Sequence, residues 1–144
     1  MIIGICGKSG SGKSTLANQI KELVNKPTIH LDIDKIGHQV LTFPEVKKEL
    51  LNNFVNSILI DDDINRKKLG ELVFNSRDKM DTLTEITWKH MQIEIDKIID
   101  ANLDKIIILD WILLPKSKYF NQCNYTILLN IPYNIREERA MRRD

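Results

Sequence analysis

The chain of 144 residues has two cysteines, four prolines and six glycines, and its formal net charge is only +1. Each scarcity excludes a class. Cys6 and Cys123 stand far apart and match no metal-ligand spacing, which speaks against a disulfide framework and for a reducing cytosol. A near-neutral charge balance lacks the basic excess that wholesale wrapping of nucleic acid requires, so no nucleic-acid partner is expected. No apolar run reaches membrane-spanning length, and the start Met1-Ile2-Ile3-Gly4-Ile5-Cys6 is too short and lacks the basic flank of a signal peptide. Internal repeats and low-complexity linkers are absent as well. The expectation is a cytoplasmic single-domain protein with no membrane partner, long enough to bury a real core.

What is present is an ordered series of apolar patterns. Residues 1–6 form a short apolar run ending at Gly7, the pattern of a buried parallel strand. After the glycine-rich stretch, Leu16, Ile20, Leu23 and Val24 recur at helical spacing until Pro27 stops them. Residues 28–31 read as a second strand, ending at Asp32 and Asp34. Pro44 opens a helix with Val46, Leu50, Leu51 and Phe54 on one face. Beyond the acidic turn Asp61-Asp62-Asp63, Leu69, Leu72 and Val73 mark another helix, and Trp88, Met91, Ile95 and Ile98 the stripe of a long one. Residues 106–109 and 125–131 are two further strands, and Pro132 leads into an arginine-rich last helix. Buried runs without polar alternation predict a parallel sheet covered by helices on both faces. Ligands of such sheets bind outside the carboxyl ends of the strands. Residues 7–14, Asp32 with Asp34, and Asp110 all fall there.

Gly7-Lys8-Ser9-Gly10-Ser11-Gly12-Lys13-Ser14 matches the phosphate-loop pattern G-x-x-x-x-G-K-[ST] in full. Its glycines let the backbone curl so that successive N–H groups face phosphate oxygens, and the following helix adds its positive end. Lys13 is expected to reach the β- and γ-phosphates, and the Ser14 hydroxyl to ligate magnesium. A GTPase would need an Asn-Lys-x-Asp base reader, but Asn25-Lys26-Pro27-Thr28 lacks the aspartate and comes too early. Asp34-Lys35-Ile36-Gly37 imitates a switch motif only by coincidence, and the Leu-Ser-Gly-Gly-Gln signature of transporter ATPases is absent. A compact kinase remains.

Asp32 and Asp34 stand two apart, so in an extended segment their side chains share a face. A carboxylate there could accept or orient the proton of an attacking hydroxyl; Asp34 could equally N-cap a helix starting at Lys35. Asp110, closing an apolar strand, reads as an acid for a magnesium-bound water, against the plainer reading of a turn residue. Arg136, Arg139 and Arg143 share one side of the last helix, which by itself fits a solvated face.

Four segments in register with the phosphate loop carry a family resemblance. His30-Leu31-Asp32-Ile33-Asp34-Lys35-Ile36-Gly37-His38 is similar to the Asp-Ala-Asp segment of dephospho-CoA kinases and the stretch after it. Ile64-Asn65-Arg66-Lys67-Lys68-Leu69-Gly70-Glu71-Leu72-Val73-Phe74 resembles the family's Asp-Arg-x-x-Leu-x-x-x-Val-Phe helix. Leu109-Asp110-Trp111-Ile112-Leu113-Leu114 stands where the family has Asp-x-Pro-Leu-Leu-Phe-Glu, and residues 139–144 resemble its Arg-x-x-x-Arg-Asp lid segment.

The resemblance implies a three-layer α/β P-loop nucleotide-kinase fold with a parallel sheet, in one kinase domain. Its core would be residues 1–35 and 104–144, with a helical acceptor-binding insertion at 36–103. It implies ATP and magnesium as cofactors, and transfer of the ATP γ-phosphoryl group to the ribose 3′-hydroxyl of dephospho-CoA. Gly7, Ser9, Gly10, Ser11, Gly12, Lys13, Ser14 and Thr15, with Arg139 and Arg143 of the lid, would bind ATP. Lys13, Asp34 as general base, and Arg143 would be catalytic; Ser14 and Asp110 would hold the metal. Asp32, as a substrate or magnesium contact, His38 and Arg66 would serve the acceptor.

The chain departs from the family pattern at several positions. Cys6 replaces a threonine, Lys8-Ser9 replaces Gly-Ile, Trp88-Lys89 stands in place of a His-Pro pair with His90 displaced, and Lys116 replaces an acid. Family members continue past the Arg-Asp pair, so the lid and the last strand are expected to be incomplete at Asp144. A uridine-kinase-like nucleoside or nucleotide kinase and a non-catalytic nucleotide-binding module are the competing readings; Asn65-Arg66 and Leu69 favour the dephospho-CoA kinase resemblance over the uridine-kinase one.

Overall fold

A computed structural model of the chain describes residues 1–8, 10–54 and 58–130. The arginine-rich helix expected after Pro132, with Arg136, Arg139 and Arg143, lies outside the described residues. The chain divides into two compact units, one of Met1–Asp34 with the chain from Ile99 onward, the other Lys35–Ile98.

In the first unit, β1 (Ile2–Gly7), β2 (Thr28–Asp32), β5 (Ile106–Asp110) and β6 (Tyr125–Leu129) form a sheet in the order β2-β5-β1-β6. Every pair is parallel. The two central strands have the longest apolar runs, as burial on both faces demands. Ile106-Ile107-Ile108-Leu109-Asp110 is buried along its whole length, whereas Tyr125 and Leu128 of β6 are exposed. Helix α1 (Lys13–Leu23) turns its Leu16, Ala17 and Ile20 onto Ile5 and Ile108 of the sheet. It ends before Asn25-Lys26-Pro27, since a residue preceding proline is pushed out of helical conformation. Two short 3₁₀ turns, Leu114–Lys116 and Phe120–Gln122, connect β5 to β6. The sheet is thus a parallel one flanked by helices.

Between β2 and β5 run α2 (Ile33–Val40), α3 (Pro44–Asn53), a hairpin of β3 (Leu59–Ile60) and β4 (Asp63–Ile64), α4 (Arg66–Phe74) and α5 (Arg77–Ala101). Pro44 begins α3 at a position where its missing N–H costs nothing. Asn65 caps α4 by accepting from the Lys68 N–H at 2.9 Å. The hairpin turns through Asp61 and Asp62, both at positive φ (51° and 67°), which aspartate tolerates better than most residues. Helices α3 and α5 are tied by Glu49, which accepts from Lys89 Nζ at 2.8 Å and from His90 Nε2 at 2.8 Å. The buried residues of α5 are Ile86, Met91, Ile95 and Ile99, while Ile98 and Trp88 are only half-buried. The stripe expected through Trp88 and Ile98 is therefore rotated by one residue at its end, because 91, 95 and 99 keep a strict four-residue step. Among the described residues no helix is long and apolar enough to cross a membrane.

Candidate active site

The carboxyl ends of the four strands carry Gly7, Asp32, Asp110 and Leu129. At the first of them the chain must leave β1 in a loop that comes very close to its neighbours. A Cβ on Gly7 would sit 2.7 Å from Ser11 Oγ and 2.8 Å from the Leu129 carbonyl oxygen, so only glycine fits. Gly12 closes the loop at φ 96°, ψ 20°, the left-handed region, and its carbonyl accepts the first bond of α1, from Leu16 N–H at 2.9 Å. Among the described residues no side chain caps this helix start, which leaves its orphan N–H groups for an anion. Ser9 lies outside the described residues.

Lys13 Nζ makes a long bond of 3.4 Å to the Lys8 carbonyl, folding the ammonium back over the loop. Ser11 is 3 % exposed, yet its Oγ has no hydrogen-bond partner among the described residues. A buried hydroxyl left unpaired is costly unless a ligand satisfies it. Ser14 Oγ donates to Asp110 Oδ2 at 2.9 Å, across 96 residues of sequence. Thr15 follows on the exposed side of the first turn.

The Ser14 hydroxyl and the Asp110 carboxylate fit magnesium. That ion prefers hard oxygens and usually takes one or two side-chain ligands, with phosphates and water completing its shell. Among the described residues no group of three or more His, Cys, Asp and Glu side chains could enclose a metal by itself, so such an ion would be shared with a phosphate ligand.

Asp110 has a second partner that the sequence did not single out as a site residue. His30 Nε2–H, from the next strand, donates to the same Oδ2 at 2.9 Å. The available signal was a polar residue inside the otherwise apolar start of Thr28-Ile29-His30-Leu31, since a buried polar group implies a partner. Cys6, just before the loop, is buried with its Sγ 3.7 Å from the Ile127 carbonyl. Burial pushes its thiol above the usual range, against the opposing pull of the Lys13 ammonium, so it is no reactive thiolate.

The two acidic residues at the β2–α2 junction are placed differently from the expectation. Strand β2 runs through Asp32 and α2 begins at Ile33, so Asp32 and Asp34 do not share one extended segment. The period-two argument that put them on one face fails because the chain changes conformation between them. Asp34 lies inside the first turn of α2 rather than at its N-cap, where the helix macrodipole favours a negative charge. Asp32 stands opposite Asp110 in the β2–β5 register.

His38 and Arg66 belong to the second unit, where both line a cavity of about 290 Å³ with Leu41, Thr42, Lys47, Asp63 and Ile64. Arg66 and Leu41 also wall a smaller, more apolar one of about 250 Å³ that contains Leu69, Leu83 and Met91. Arg139 and Arg143 lie outside the described residues.

The family model described as dephospho-CoA kinase matches residues 1–144. The chain belongs to the dephospho-CoA kinase family. The enzyme of Aquifex aeolicus is 34 % identical over 98 % of this chain and 72 % of its own length. That of Lactobacillus johnsonii is 33 % identical over 99 % of this chain and 73 % of its own length. The crystal structure of TT1252 from Thermus thermophilus superposes with a TM-score of 0.81 at 23 % identity, covering 100 % of this chain and 72 % of that one. At such identity the likeness speaks for the fold alone, a parallel sheet flanked by helices. Dephospho-CoA kinases use ATP with magnesium, and the loop, Ser14 and Asp110 offer the oxygen and N–H groups that this pair requires.

Proposed function

We propose that the chain transfers the γ-phosphoryl group of ATP to the ribose 3′-hydroxyl of dephospho-CoA, giving coenzyme A. The observation that carries this is the 2.9 Å Ser14–Asp110 pair set beside an uncapped, glycine-turned phosphate loop, in a chain of this family. Gly7, Ser9, Gly10, Ser11 and Gly12 would cradle the phosphates through backbone N–H groups, with the Ser11 and Thr15 hydroxyls adding donors. Lys13 would exchange its long bond to Lys8 for the β- and γ-phosphates. Ser14 and Asp110 would hold magnesium, which neutralises charge between the phosphates when bound. Asp34 would accept the proton of the attacking hydroxyl, and Asp32 would orient that hydroxyl. Arg139 and Arg143 would steady the transferring group, where guanidinium forks match phosphate oxygens. The unit of Lys35–Ile98 would receive the acceptor, with His38 and Arg66 at its cavity. The cytoplasm is the proposed location, supported by two unpaired thiols.

The test measures ATP consumption against dephospho-CoA, uridine, cytidylate and pantothenate. Turnover with dephospho-CoA alone supports the reading. Preference for uridine or cytidylate would replace it with a nucleoside or nucleotide kinase, and no turnover at all with a binding module.

A further inference from the structure

Asp110 is a buried acid with two donors on one oxygen. It is 3 % exposed, and its Oδ2 accepts two bonds at once, from Ser14 Oγ and from His30 Nε2–H, each 2.9 Å long. The second donor arrives through strand pairing. In the parallel β2–β5 register His30 lies opposite Ile108 and Asp32 opposite Asp110, so the imidazole meets the carboxylate diagonally across the ladder. A carboxylate held by one donor could still swing about its last torsion, which is broad and nearly two-fold. A second donor, from the β2 strand paired alongside, removes that freedom. The histidine therefore fixes which oxygen faces Ser14.

We propose that His30 is a positioning residue for the magnesium side of the site: it holds the Asp110 carboxylate in the orientation that Ser14 shares, before ion and nucleotide arrive. This rests on the reading of Ser14 and Asp110 as the oxygen pair that holds magnesium. His30 acts through Asp110 and touches neither phosphate nor acceptor in this assignment. Outer partners of this kind are worth about 10- to 100-fold in metal affinity.

Calorimetry of ADP binding, with magnesium and with EDTA, tests it. Wild-type protein should bind ADP more tightly with magnesium; if it is indifferent to the ion, the site reading itself falls, separately from His30. His30→Leu should keep wild-type ADP affinity in EDTA and need about tenfold more magnesium for half-maximal tightening. His30→Gln, whose amide N–H can still reach the carboxylate, should recover most of the loss. A leucine variant with wild-type magnesium dependence overturns the proposal. So does one that loses ADP affinity equally with and without the ion, the mark of a merely structural role. In the wild-type protein the ring-nitrogen resonance of His30 Nε2 should move when magnesium joins the ADP complex, a readout that needs no variant to fold. An unmoved resonance also overturns it.

Discussion

Single side chains in this molecule separate into those that hold the fold and those that wait for a ligand. Lys13 is of the second kind, since among the described residues its ammonium makes only a long contact of 3.4 Å to a loop carbonyl. Lys13→Ala is expected to abolish ADP binding in calorimetry while the thermal midpoint of the unliganded protein stays where it was. Unchanged ADP affinity in that variant would sink the phosphate-loop assignment. Asp34 presents a sharper choice, because a first-turn acid also stabilises its helix through the macrodipole, by about 0.3–1 kcal/mol. Asp34→Asn removes the charge and keeps the shape. Turnover should fall about a hundredfold or more with ATP affinity spared, if the carboxylate is the proton acceptor. A variant that loses only a little stability and keeps its turnover per folded molecule would show a helix-stabilising acid and nothing else.

At the scale of elements, the second unit is held by caps and cross-links that mutation can read one by one. Asn65 gives α4 its N-cap through the Lys68 N–H, and Asn65→Ala should cost about 1 kcal/mol in urea unfolding. Glu49 joins α3 to α5, and its carboxyl is held below the ordinary range by hydrogen bonds from Lys89 first and His90 second. A carboxylate with a depressed folded pKa contributes stability that is present above its unfolded value. That contribution is lost as pH falls through the folded one. Wild type should therefore exceed Glu49→Gln in stability near neutrality, and the gap should close in acid. Urea midpoints of both proteins across that range measure it, and a gap independent of pH would mean that packing rather than charge sets the difference. The same pair of helices marks where periodicity ran short. Val46 and Leu50 of α3 are buried as their spacing requires, but the one-residue rotation at the end of α5 depends on which neighbours cover it.

For the molecule as a whole, a ligand that binds only the folded state must raise its stability, by about 2.7 kcal/mol at a free concentration a hundred times Kd. Magnesium with ATP should raise the melting temperature of wild type and leave that of Lys13→Ala unmoved, in a thermal scan at matched concentrations. A wild type with no shift at saturating nucleotide would contradict the proposed site. The sequence alone determined the features that rest on local rules. Glycines where the loop needs them, apolar runs where strands are covered on both faces, Pro44 at a helix start and the acidic turn at Asp61-Asp62 follow from conformation within a few residues. The acids expected at the carboxyl ends of β2 and β5 were legible for the same reason. Their geometry was not. The placement of Asp34 inside α2 turned on where a strand stops and a helix starts, a balance that a pattern of apolar residues does not fix to one position. The bonds of Ser14 and His30 to Asp110 bridge 96 and 80 residues. They exist because β5 lies between β1 and β2. A one-dimensional pattern says which faces are apolar, but which strand becomes whose neighbour is decided by the packing of the whole sheet and its crossovers, and only that packing brought a histidine onto the buried acid.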